Sequence, residues 1–115
     1  MKVINSITAE PKQEFVVRLD NSDFVTIKVE YVATNRAWFM DFEYDDYKST
    51  CQQITNCPNI IRQAKNIVPF GIGCEVEDGG EPWFIDDFLI GRATLFVLSS
   101  KEVDYLEKNL YGKVL

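Results

Sequence analysis

From Gln13 to Tyr44 the large apolar side chains tend to fall on every second residue. Phe15, Val17 and Leu19 share one face, and the four turn formers Asp20 to Asp23 follow. Val25, Ile27, Val29 and Tyr31 then alternate with Thr26, Lys28 and Glu30. Successive side chains of an extended backbone point to opposite faces, so this pattern predicts a half-buried β-hairpin. A second polar break, Thr34 to Arg36, comes next. In the overlapping stretch "NRAWFMDFEYDD", Trp38, Met40, Phe42 and Tyr44 alternate with Asp41, Glu43 and Asp45. This predicts a third strand of the meander, oily on one face and acidic on the other.

Past Tyr44 the signals vary in strength. Residues 47–54 predict a further strand, while Asn59 to Ile67 reads equally as a short helix or an extended crossing. Phe70 to Glu77 predicts a strand in which Gly71 and Gly73 mark a bulge or a tight backbone approach. "DGGEP" (Asp78 to Pro82) is a turn by composition, "WFIDDFLIGR" (Trp83 to Arg92) a loop with aromatic anchors, and "ATLFVLS" (Ala93 to Ser99) a clear strand. There the period changes. Ser99 and Glu102 have the spacing of a capping box, and Val103, Leu106 and Leu110 fall on one helical stripe, with Gly112 as a stop. The expected fold is mainly β: a small antiparallel barrel or sandwich with a short C-terminal helix, forming one domain over residues 1–115.

Charge and composition narrow the function. Eighteen acids against twelve bases give a net charge of −6, and the bases are scattered singly rather than clustered as phosphate binding requires. No nucleic-acid partner is expected. The chain has no histidine, which removes the commonest general base near neutral pH and the favoured imidazole ligand. Cys51, Cys57 and Cys74 lack the CxxC spacing of a zinc site and read as small hydrophobes in a reducing compartment. The first residues hold no apolar core of signal-peptide length, and no stretch approaches the roughly 20 apolar residues that span a bilayer. The expectation is a protein without membrane partner, made and kept inside a cell.

Two acid groups are candidates for chemistry. Asp41, Glu43 and Asp45 would point the same way on a strand, so a hard cation could meet three carboxylates. A calcium loop, however, needs a glycine at its sixth position and a glutamate at its twelfth; Asp46 stands at the sixth, and no glutamate stands twelfth. Asp86 and Asp87 could serve as general acid and base, but neighbours on an extended chain point apart and could not share one proton. One of them reads as a turn cap, with Trp83, Phe84 and Phe88 anchoring the loop. The turn at Asp78 to Gly80 lacks the lysine and serine of a phosphate loop. No catalytic, metal-ligating or cofactor-binding residue is assigned, and no small-molecule substrate is expected. Fifteen aromatic residues, eight Phe, five Tyr and two Trp, exceed what one small core needs, and surplus aromatics beside charged rims are what protein contacts use.

Two stretches carry a family resemblance. The first runs from Pro11, Gln13 and Phe15 through the polar turn and the alternating strand to the Trp38 strand ending in Asp. The second joins the glycine-flanked strand at Gly71 and Gly73, the Pro82 to Asp87 stretch, the Gly91–Arg92 pair, a final apolar strand and an acidic end. This pattern resembles the small tailed-phage and prophage proteins grouped as baseplate plug-like proteins; the central segment from Cys51 to Ile67 departs from it. The resemblance implies a structural part of a phage tail baseplate that plugs or connects tail-tube or spike components. It implies no cofactor and no catalysis, with assembly in the host bacterium's cytoplasm and a final place in the virion tail. Its partners would be other tail proteins and copies of itself. On the residues themselves, the aromatic loop Trp83, Phe84 and Phe88 and the wet-face acids Asp41, Glu43 and Asp45 are the candidates for those contacts. Two competing readings are a small acidic binding or inhibitor protein of a bacterial operon and a metal-dependent hydrolase using the acids near Asp41 and Asp86.

Overall fold

The computed structural model describes residues 1–111. Among them are seven strands: β1 (Lys2–Ile4), β2 (Lys12–Arg18), β3 (Phe24–Val32), β4 (Ala37–Tyr44), β5 (Tyr47–Gln53), β6 (Phe70–Val76) and β7 (Ala93–Ser99). One α-helix, α1 (Ser100–Leu106), follows. The strands form two antiparallel sheets, ordered β2-β3-β4-β5 and β1-β7-β6. They are not closed into a barrel; the architecture is sandwich-like.

The four-stranded sheet follows the period of two. Val17, Val25, Ile27, Val29, Trp38, Met40 and Phe42 are buried on its inner face, and the register sets Ile27 opposite Phe42 and Val29 opposite Met40. Each such burial stabilises by about 1.5–3 kcal/mol relative to exposure. The Asp20–Asp23 turn closes through Leu19 N–H to Asp23 O (2.7 Å) and Asp23 N–H to Asn21 Oδ1 (3.0 Å). Between β4 and β5 the chain reverses in two residues, Asp45 and Asp46, with Asp45 at φ 53°.

The three-stranded sheet packs its inner face on this one, with Phe70 edge-on to Phe42 at 5.8 Å between ring centres. Its middle strand, β7, is buried on both sides. Leu95 and Val97 join the main core, while Phe96 and Leu98 form a second cluster with Val103 of α1. A strand covered on both faces needs no alternation, which explains the apolar run from Leu95 to Leu98 within "ATLFVLS". The glycines of β6 mark a tight approach. A Cβ on Gly73 would lie 2.3 Å from the Pro58 carbonyl oxygen and 2.4 Å from the Phe96 ring. Residues 57–60 run along the β6 edge, with Cys57 N–H donating to Cys74 O (3.0 Å), Cys74 N–H to Cys57 O (2.9 Å) and Ile60 N–H to Ile72 O (2.7 Å). The ambiguous segment is therefore neither alternative alone: it starts extended on β6 and closes in a 3-10 turn at Arg62–Ala64.

The capping box forms as the sequence predicts, with Ser99 Oγ accepting from Glu102 N–H (3.2 Å) and Glu102 Oε1 from Ser99 N–H (2.9 Å). The stripe beyond it does not hold. Val103 is buried and Leu106 half-buried, but Leu110 is 53% exposed. The helix widens to a π-turn over Glu107–Tyr111, and the wider winding rotates Leu110 off the packed face. The expected stop at Gly112 lies outside the described residues.

Candidate functional site

The acids of β4 do not converge. Opposite Asp41 the pairing with β5 slips by one residue, between Met40 and Phe42, and Cys51 adopts φ 56°. Such a bulge leaves a strand N–H without its ladder partner, and Asp41 Oδ1 accepts from Cys51 N–H at 2.8 Å. Asp41 thus supports the bulge. Glu43 is exposed between Thr26 and Lys48 of the neighbouring strands, and Asp45 belongs to the two-residue turn rather than the strand. Among the described residues no three His, Cys, Asp or Glu side chains come together in a way that could hold a metal ion.

The other acid-aromatic stretch is organised from its carboxylate outward. Asp87 is 1% exposed. Its Oδ2 accepts from Phe84 N–H (2.9 Å) and from Arg92 Nη1 (2.7 Å), so it closes the loop on itself and neutralises its own burial. Arg92 also donates to the Glu81 carbonyl (2.8 Å) and, through Nε and Nη2, to both Asp78 oxygens (3.2 and 3.0 Å). The Gly80 N–H and then Arg92 hold the Asp78 carboxyl below its ordinary range, and the bonds to Asp78 hold the Arg92 guanidinium above its own. Gly79 at φ 78° and Gly91 at φ 84° supply the left-handed turns at either end.

Two buried-face aromatics of the large sheet fix the loop from below. Tyr31 Oη donates to the Trp83 carbonyl (2.6 Å) and Trp38 Nε1 to the Phe84 carbonyl (3.2 Å). Phe88 is 9% exposed and meets Trp38 edge-on at 5.5 Å. Phe88 therefore packs into the core, and unlike its neighbours it leaves little of its ring at the surface. Trp83 and Phe84 anchor the loop through their carbonyls while their rings stay out. Trp83 is 44% and Phe84 47% exposed. The Arg92 guanidinium lies 5.4 Å from the Trp83 ring centre, and Arg36 lies 5.3 Å from that of Phe84, within cation–π range. Ile85, Leu89 and Ile90 of the same loop are exposed too. Sequence patterning does not mark these three or Arg36, and Arg92 enters only through the Gly91–Arg92 pair of the family resemblance. The only signal for them is negative: "WFIDDFLIGR" is rich in apolar residues yet has neither a strand nor a helix period.

Elsewhere, an open groove of about 580 Å³ crosses the outer face of the four-stranded sheet, lined by Glu14, Lys28, Glu30 and Phe39 among others. Its charges alternate, with Lys28 paired to Glu14 at 3.5 Å. The three cysteines are free, and burial pushes the Cys74 thiol up to about 12. The arrangement at residues 83–90 can therefore present a rigid apolar surface to another molecule. No protein-family model matches the chain, and a search of curated proteins finds no match.

Proposed function

We propose that the chain is an architectural component of a phage tail baseplate, plugging or connecting tail-tube or spike proteins and copies of itself by side-chain packing. The reading assigns it no catalytic step and places it in the virion tail after assembly in the bacterial cytoplasm. One observation carries the contact role. Trp83, Phe84, Ile85, Leu89 and Ile90 are all exposed on one short loop, and that loop is tied down by Asp87, Arg92, Tyr31 and Trp38. Such a patch is on the order of a few hundred Å², a size that on monomers often marks a contact site. Its backbone is tied by hydrogen bonds and its two rings lie against Arg92 and Arg36, so binding loses less freedom than an untied loop would. The resemblance of the Pro11–Asp46 and Phe70–Asp104 stretches to baseplate plug-like proteins supports the tail assignment.

A second reading, a small acidic inhibitor of a basic partner, is favoured by the net charge of −6. Gene neighbourhood separates the two: tail-tube, sheath and tape-measure genes belong with the first, a toxin gene with the second. The direct test is to deplete the protein during phage growth and image the particles. Incomplete or non-infectious tails are expected; complete, infectious tails without the protein overturn the baseplate role.

A further inference from the structure

We infer that the exposed loop docks a separate polypeptide carrying lysines or arginines around an apolar side chain, and does not pair with the same loop of a second copy. This rests on the contact role proposed above and names the chemistry of its partner. Residues 77–92 contain five carboxylates, Glu77, Asp78, Glu81, Asp86 and Asp87, and one base, Arg92. Arg36, set against Phe84, adds a second base, leaving the region at −3. Both cations are engaged at home: Arg92 by Asp78 and Asp87, Arg36 by the Phe84 ring. Glu77 and Asp86 are exposed, and among the described residues neither is ion-paired.

Charge then selects the occupant. A two-fold contact is self-complementary, so it would set one acidic rim against another, and opposed like charges penalise association. A patch of a few hundred Å² is also smaller than the roughly 800 Å² per partner of a stable interface, so rim contacts must contribute. A partner with basic groups flanking an apolar residue satisfies both conditions. Its apolar side chain would cover Leu89 and Ile90, and its ammonium or guanidinium groups would reach Glu77, Asp86 and the exposed parts of the two rings.

Two end-capped synthetic peptides of identical apolar content test this, one alternating leucine and phenylalanine with lysine and arginine, the other with glutamate and aspartate. Tryptophan emission reports binding, because Trp83 is exposed while Trp38 is fully buried. The basic peptide is expected to shift the emission, with affinity falling about tenfold or more between low and high salt. A similar loss is expected in the charge-reversed variant E77K/D86K, whose two sites are solvent-exposed; the acidic peptide is expected to remain silent. Equal response to both peptides, or response to neither, overturns the inference. So does a concentration-dependent dimer in sedimentation that W83A abolishes. If neither peptide binds but tails lacking the Trp83 and Phe84 rings still fail, the charge assignment falls and the contact role stands. If the basic peptide binds yet such tails assemble, the baseplate role falls instead.

Discussion

Residues 38–46 and 83–92 are built from the same materials, large apolar rings mixed with aspartates, and the fold sorts them in opposite ways. On β4 the backbone period does the sorting: Trp38, Met40 and Phe42 go in, while Asp41 and Glu43 go to the outer face. In the loop no period exists, and hydrogen bonding sorts instead. Asp87 goes in, because Phe84 N–H and Arg92 are there to receive it, and Trp83 and Phe84 stay out. The buried acid is compensated by its partners, whereas the exposed rings gain little from burial. The difference separates a stretch sorted by backbone period from one sorted by hydrogen bonding, and the contact role proposed for the second rests on the rings left outside.

The two tryptophans give the widest contrast. Trp38→Ala, at a fully buried site, is expected to destabilise by about 3–5 kcal/mol, whereas Trp83→Ala should stay within about 1 kcal/mol; urea titration of both reads the gap directly. Equal losses would mean that the loop is core after all. The two adjacent aspartates come next. Asp87→Ala removes the buried one of the two carboxylates on Arg92 and leaves the Phe84 N–H without its acceptor, with an expected loss of about 2–4 kcal/mol. Asp86→Ala, at an exposed site, is expected to stay within about 0.5 kcal/mol. Amide exchange should show residues 83–90 losing protection in the first variant alone. On β4, Asp41→Ala leaves the Cys51 N–H without its 2.8 Å partner, for roughly 1 kcal/mol in the same titration; no change would mean that water replaces the carboxylate.

The smallest effect lies outside both stretches and serves as their control. Arg62 (2.7 Å) and then Lys65 (2.8 Å) hold the Glu107 carboxyl down to about 2. A depressed carboxyl contributes stability that is complete above its ordinary value near 4.5 and fades as pH falls toward 2. Arg62 and Lys65 are 43% and 35% exposed, so the contribution is expected to be under about 1 kcal/mol. Glu107→Gln should flatten that acid limb of the melting curve while leaving loop protection unchanged. A steep limb that persists in the variant would place the titrating group elsewhere.

What the sequence reveals follows the same division. Strands β2 to β4 are legible because one wet face imposes alternation, and the α1 start because its cap is local. β1 carries no such signal: Lys2–Ile4 is too short for a period and becomes a strand only by pairing with β7, Val3 opposite Phe96. The segment after Pro58 is set by a backbone approach to Gly73 that no local pattern encodes. Leu110 departs from the helical stripe because the winding changes at Glu107. In the loop, the expectation that one aspartate caps a turn holds for Asp87. Which of three neighbouring rings is buried depended on Trp38, nearly fifty residues away in the chain, which takes Phe88 edge-on and the Phe84 carbonyl by hydrogen bond.

The central claim is that the loop's rings are held outward for contact and not for stability. The double variant W83A/F84A, supplied in place of the wild-type protein during phage growth and followed by thermal melting and by its amount in purified particles, tests it most directly. The expected result is a melting temperature within about 4–8 °C of wild type together with its absence from the particles. Incorporation at the wild-type level would contradict the claim.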